Sequence, residues 1–220
     1  MGMLNALMAA DSLDKLSQSF FSAGNPTPGT GIASTDAPTS FSATVGLINI
    51  YNAADRANGE HHRVIPIGIC LRAVAVNTGA TSCVLIGYED NINRYSSGGT
   101  ALTENNLYMT SQTGWTTRTA KAAVHFGVLT LAAAGANVKK VFNQQISDVI
   151  YAADDTVMIW FGEGGTGENG NRNNVVLPPV YLGPGGNLSI HELSPSASAD
   201  SGFEVDVWWA ETNHAAILSI

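Results

Sequence analysis

Apolar and polar positions alternate from Phe203 to Trp209: Phe203, Val205, Val207 and Trp209 are interleaved with Glu204, Asp206 and Trp208. Alternation with a period of two describes a strand with one face buried. The same reading applies upstream. Residues 63–77 put Ile65, Ile67, Ile69, Leu71, Ala73 and Ala75 on one face, and Pro66 places the start of that strand at a sheet edge. A turn at Thr78, Gly79 and Ala80 then predicts that residues 82–89 return as the partner of a hairpin. Further strands are expected over 42–51, 124–131, the start of 138–151, 156–161 (read as buried on both faces) and 188–193. Prolines 178 and 179 hold the chain extended, and the run Gly183, Pro184, Gly185, Gly186 is a turn. Residues 90–106 read as a polar loop, and 162–174, rich in Gly and Asn, as a hairpin tip.

Helical spacing occurs in one stretch, residues 3–21. Leu4, Leu7 and Met8 mark a face that Leu13, Leu16 and Phe20 continue. Such a helix is marginal in isolation and has to dock on its own domain, a neighbouring subunit or another protein. These six residues, with Trp208, are the expected partner-binding positions. Residues 22–40 have the Pro, Gly, Ser and Thr content of a linker. The organisation expected is an arm over 1–40 and a sandwich domain over 41–220. Eight or nine short strands without alternating helices imply an all-β antiparallel sandwich, and the several long connections favour a jelly roll over an up-and-down barrel.

Composition sharpens this. Charged residues make up 13 % of the 220, and the net charge is −8 from 10 Lys+Arg against 18 Asp+Glu. Lys15 is the one base in the first forty residues. A nucleic-acid binder would carry a basic patch or arm, so contact with nucleic acid is not expected. No apolar run reaches the length of a membrane helix, and residues 1–10 lack the basic start of a signal peptide. Cys70 and Cys83 read as buried free thiols on neighbouring strands, a disulfide staying open because spacing does not establish geometry.

Catalytic patterns are weak. The glycine-rich run from Gly162 to Gly170 lacks the Lys-Ser/Thr that ends a phosphate loop. His61 and His62 are adjacent and would point to opposite faces of a strand; His125 and His191 fall in separate expected strands. The acidic pairs Glu89/Asp90, Asp154/Asp155 and Glu204/Asp206 read as solvated carboxylates, and no Gly-x-Ser-x-Gly elbow is present. Neither a metal nor a cofactor is expected, and no enzymatic activity. Of Trp208 and Trp209, one faces the core and the other outward, to stack on a sugar, fill an interface pocket or lie under the arm.

The run Leu177, Pro178, Pro179, Val180, then Gly183, Pro184, Gly185, then Leu188, Ser189, Ile190, His191, and finally Phe203 to Trp209, resembles the C-terminal half of small jelly-roll virion proteins of tailed bacteriophages. The stretch Asn93, Arg94, Tyr95, Ser96, Ser97, Gly98, Gly99, Thr100 is similar to them as well. The resemblance covers residues 60–210 and implies a non-enzymatic protein that decorates or cements the capsid exterior. Its partners would be the major capsid protein or neighbouring copies, in a homotrimer. Two alternatives stand beside it: a shell-forming jelly-roll capsid protein of a small virus, and a carbohydrate-binding module at a fibre tip.

Overall fold

The computed structural model describes residues 20–33, 39–75, 83–107, 119–147, 156–162, 174–193 and 202–213. Thirteen strands are found among the described residues. They are β1 (Phe20–Gly24), β2 (Ile32–Ala33), β3 (Val45–Asn52), β4 (His62–Ala75), β5 (Cys83–Asp90), β6 (Tyr95–Ala101) and β7 (Thr103–Asn106). They continue with β8 (Ala122–Leu131), β9 (Lys139–Ser147), β10 (Thr156–Phe161), β11 (Asn174–Leu177), β12 (Asn187–Leu193) and β13 (Gly202–Asn213). The first sheet runs β11-β10-β4-β13-β1-β7, with β2 also on β13; the second runs β6-β8-β3-β12-β5-β9. All pairings are antiparallel except β10 with β11. The protein is all-β, two sheets closing on one core.

That core follows from the alternation. Ile69, Leu71 and Ala73 of β4, Val205, Val207 and Trp209 of β13, and Val157 and Ile159 of β10 face Ile48, Ile50, Val124, Phe126, Leu188 and Ile190 of the second sheet. Trp209 is 0 % exposed and stacks on Phe21 of β1, with centroids 5.7 Å apart and planes 14° from parallel.

Several expectations need correction. Phe20 is not a helical residue: it opens β1, which pairs with β13 on one side and β7 on the other. Phe21 and Ala23 point into the core while Phe20 and Ser22 stay half-buried, so a strand period wins over the helical spacing. Residues 20–24 and 32–33, placed in arm and linker, are therefore part of the first sheet. Leu4, Leu7, Met8, Leu13 and Leu16 lie outside the described residues. Residues 63–77 and 82–89 do not form a hairpin, since β4 belongs to the first sheet and β5 to the second; Cys70 and Cys83 are consequently not on neighbouring strands. Cys70 is a free, half-buried thiol.

The strand with Pro66 is interior. Pairing with β10 stops at Gly68, and a bridge from Val64 to Leu182 takes over beyond it, so the missing N–H of Pro66 falls between two partners. The polar segment 90–106 contains β6 and β7. The connection after β10 is no hairpin tip, because β11 returns parallel to β10, which requires a crossover.

Buried polar side chains fasten the fold, Glu211 and Asn52 between the two layers and Arg94 among the segments that flank the second sheet. Glu211, at the end of β13, accepts hydrogen bonds from the backbone N–H of Lys121 (2.6 Å) and Ala122 (2.9 Å) at the start of β8 and from Trp209 Nε1 (3.1 Å). Arg94 is buried and donates from Nε and Nη2 to the Ala132 carbonyl (3.2 and 3.0 Å) and from Nη2 to Ala43 O at 2.5 Å. Asn52 donates to the carbonyls of His62 (2.8 Å) and Leu182 (2.9 Å). Replacing Glu211 by Ala strands three donors at once and should lower the unfolding free energy by about 3 kcal/mol. Urea denaturation followed by tryptophan fluorescence checks this, and Glu211→Gln, which keeps an acceptor oxygen, should lose less.

Candidate functional site

The outward face of the first sheet carries an aromatic row. Register places Val176 of β11, Trp160 of β10, Gly68 of β4, Trp208 of β13, Ser22 of β1 and Asn105 of β7 side by side across the strands. Their neighbours in sequence, Phe161, Ile69, Val207, Trp209 and Phe21, fill the core, so strand alternation sends this row outward. Trp160 and Trp208 are half-buried, with ring centroids 6.5 Å apart and planes 13° from parallel. Gly68 lies beneath both. A Cβ there would stand 3.1 Å from the Trp160 ring and 3.4 Å from that of Trp208, so glycine is what lets the two indoles close over the middle strand.

Polar groups flank the row. One step along the strands sit Met158, Cys70 and Asp206, and one step further Thr156, Arg72 and Glu204. Asp206 is exposed. Arg72 pairs with Glu204, and its side chain is 42 % exposed. The other carboxylate oxygen of Glu204 accepts from the Gly29 N–H, and Asn25 exchanges hydrogen bonds with the backbone of Val205 (2.8 and 3.2 Å). These bonds draw the turn between β1 and β2 over this end of the face. The Cys70 thiol is pushed up by burial and by the nearby Asp206 carboxylate, which keeps it protonated and unreactive at neutral pH.

The second sheet presents a polar counterpart on its outward face. His125 of β8, Asn49 of β3 and Ser189 of β12 are in register, and His191 lies two residues along β12. His125 and His191 thus share a face, but β3 separates them and they are offset along the strands. His125 stacks under Tyr95, with centroids 3.7 Å apart and planes at 15°. His191 is held edge-on by Phe41 and Tyr88. Its Nδ1 donates to the Val45 carbonyl at 2.6 Å, which leaves Nε2 as the acceptor facing Ser189 Oγ at 3.3 Å. A serine beside a histidine is the raw material of a nucleophilic pair. Here Ser189 is 0 % and His191 1 % exposed, so neither meets a substrate, and the bonds serve to fasten the chain around Val45 to the sheet.

Two further carboxylates, Asp90 and Glu60, are likewise engaged. Buried Asp90 accepts from the backbone N–H of Asn91 (2.8 Å) and Gly135 (2.7 Å). Glu60 pairs with Lys121 at 2.5 Å, and that hydrogen bond first, then a backbone one at Asp55, holds its pKa below the ordinary value. Among the described residues no group of three or more His, Cys, Asp or Glu could hold a metal. His61 is exposed beside half-buried His62. Trp115, Asp154 and Asp155 lie outside the described residues.

Of the expected partner-binding residues, Trp208 is where alternation put it. Trp160 was missed, because the apolar run 156–161 reads as buried on both sides, whereas Met158 and Trp160 are half-open. The signal available was Gly68, an isolated glycine inside a strand, which marks close approach of something bulky. No protein-family model, no curated protein and no solved structure matches this chain.

Burial holds the pKa of both His125 and His191 below the ordinary histidine value. The folded state therefore keeps these rings neutral while the unfolded chain takes up protons at about pH 6.5. Stability should be full above that pH and fall as the pH drops below it, since the unfolded state then binds more protons. Urea midpoints measured between pH 7.5 and 5.5 should decline, and a His125→Phe/His191→Gln double variant should show a flatter profile.

Proposed function

We propose that this chain is a non-enzymatic structural protein of the virion, a jelly-roll body that decorates or cements the outside of a phage head by protein–protein contacts. The observation that carries the reading is where several polar and titratable side chains of the described residues are spent. Glu211, Asp90, Arg94 and His191 are buried and bonded to backbone groups of their own chain, which makes a rigid body. The connectivity supports the jelly roll. The chain crosses between sheets from β2 to β3 to β4 to β5, again from β6 to β7 to β8, from β9 to β10, and from β11 to β12 to β13, and β12 inserts between β3 and β5. Interleaving of early and late strands is what a double Greek key requires. The net charge of −8 suits an outer surface better than one facing packaged nucleic acid.

In this reading residues 1–19, through the apolar positions Leu4, Leu7, Met8, Leu13 and Leu16 at helical spacing, tether the body to the major capsid protein or to neighbouring copies in a homotrimer. Phe20 is left out of the tether, since β1 uses it. Gold-labelled antibody against the full chain should mark the heads of tailed particles produced by cells expressing it. Removal of residues 2–19, which spares β1, should abolish head association while leaving the thermal melt of the body nearly unchanged. Label confined to tails, or undiminished head binding by the truncated chain, would overturn the assignment.

A further inference from the structure

We infer that the Trp160–Gly68–Trp208 row is a binding site for a neutral carbohydrate. This stands apart from the head-shell reading, because a glycan can be held here whether or not the chain sits on a head. Two indoles part-open on a sheet face, nearly parallel and drawn together over a glycine, are an ordered apolar surface rather than scattered exposure. The π faces are electron-rich and attract the C–H bonds that line one side of a pyranose ring. Such a ring also carries hydroxyls around its edge, and the rim of this site supplies partners for them. Exposed Asp206 offers an acceptor two residues along β13 from Trp208, at about 7 Å of strand. Arg72, steadied by Glu204, offers donors, and Ser22 and Asn105 continue the Trp208 row with a hydroxyl and an amide.

Charge narrows the ligand. The Arg72–Glu204 pair cancels, which leaves Asp206 as the net charge beside the indoles in a chain of net charge −8; this disfavours uronic and sialic acids and leaves neutral hexoses. Area argues against a second copy as the occupant. A stable protein interface takes about 800 Å² from each partner. Among the described residues the apolar part of this patch is two indoles with Val176 and Met158. It is bounded by the Arg72–Glu204 pair and by the β1–β2 turn, whose Gly31 passes Val74 so closely that a Cβ there would clash.

The test titrates the full chain with cellohexaose, maltohexaose, chitohexaose and mannohexaose, and with oligogalacturonate as the anionic control. Calorimetry reads affinity, and protection of tryptophan fluorescence from acrylamide quenching gives a second readout on the unaltered protein. At least one neutral oligosaccharide should bind and protect, and oligogalacturonate should not. Trp160→Ala and Trp208→Ala should each weaken binding by about tenfold or more. Gly68→Val keeps both indoles, adds a strand-favouring residue and wedges the rings apart, so it should lose binding with the fold intact by near-ultraviolet circular dichroism. No binding to any of the four neutral probes would overturn the site, as would affinity unchanged by Gly68→Val and by both tryptophan variants. A fall in oligomeric size on Trp208→Ala would overturn it too, by making the row a protein interface.

Discussion

Strands β4 and β13 pair antiparallel from Gly202 opposite Ala75 to Asn213 opposite His62, and the rest of the sandwich is arranged around that ladder. With fourteen and twelve residues they are the longest strands among those described. One side of the pair contributes Ile69, Leu71, Val205, Val207 and Trp209 to the core; the other carries Gly68, Cys70, Arg72, Glu204, Asp206 and Trp208. The register of this one pairing therefore decides both what is packed and what is shown. A slip by one residue would turn Trp209 out and Trp208 in. Two irregularities, near Gly202/Phe203 and Trp208/Trp209, bend the ladder. The second coincides with Pro66 opposite Trp209, where β4 has no N–H to give.

Side-chain contacts hold that register. Phe21 stacks on Trp209, whose indole N–H is taken by Glu211, and the same carboxylate grips the start of β8 in the other sheet. On the outer side Glu204 joins Arg72 to the turn after β1. The ladder is thus pinned at its inner face by an aromatic stack and at its outer face by an ion pair. The buried members of this set are bonded to groups that water cannot reach, which is where hydrogen bonds contribute most to choosing one arrangement over another.

Single strands were legible because alternation is local; their partners were not. The turn after residue 77 says that the chain changes direction but not in which layer it continues, and it continues in the opposite one. The short strands β6 and β7, YSSGGTA and TENN, sit largely exposed at sheet edges and have no buried face to create a pattern. Phe20 fitted a helical face by spacing, and pairing with Ala210, a contact with the far end of the chain, made it a strand instead. The parity of Trp208 and Trp209 could be read directly. Trp160 could not, since TVMIWF offers no polar residue to reveal which side is open. The opposed indoles needed three strands brought together, a coincidence that no single segment records.

The placement of β1 has one more consequence. Phe20 stands opposite Ala210, and Asn213 follows three positions later, so the sandwich takes in its chain and lets it out at a common pole. Whatever precedes residue 20 and whatever follows residue 213 depart from neighbouring strands of one sheet. A pull applied to both ends would unzip β1 from β13 pair by pair instead of shearing the ladder along its length. The body is mechanically weak in that direction, and a cargo joined directly to residue 20 or to residue 213 would hang from the same side.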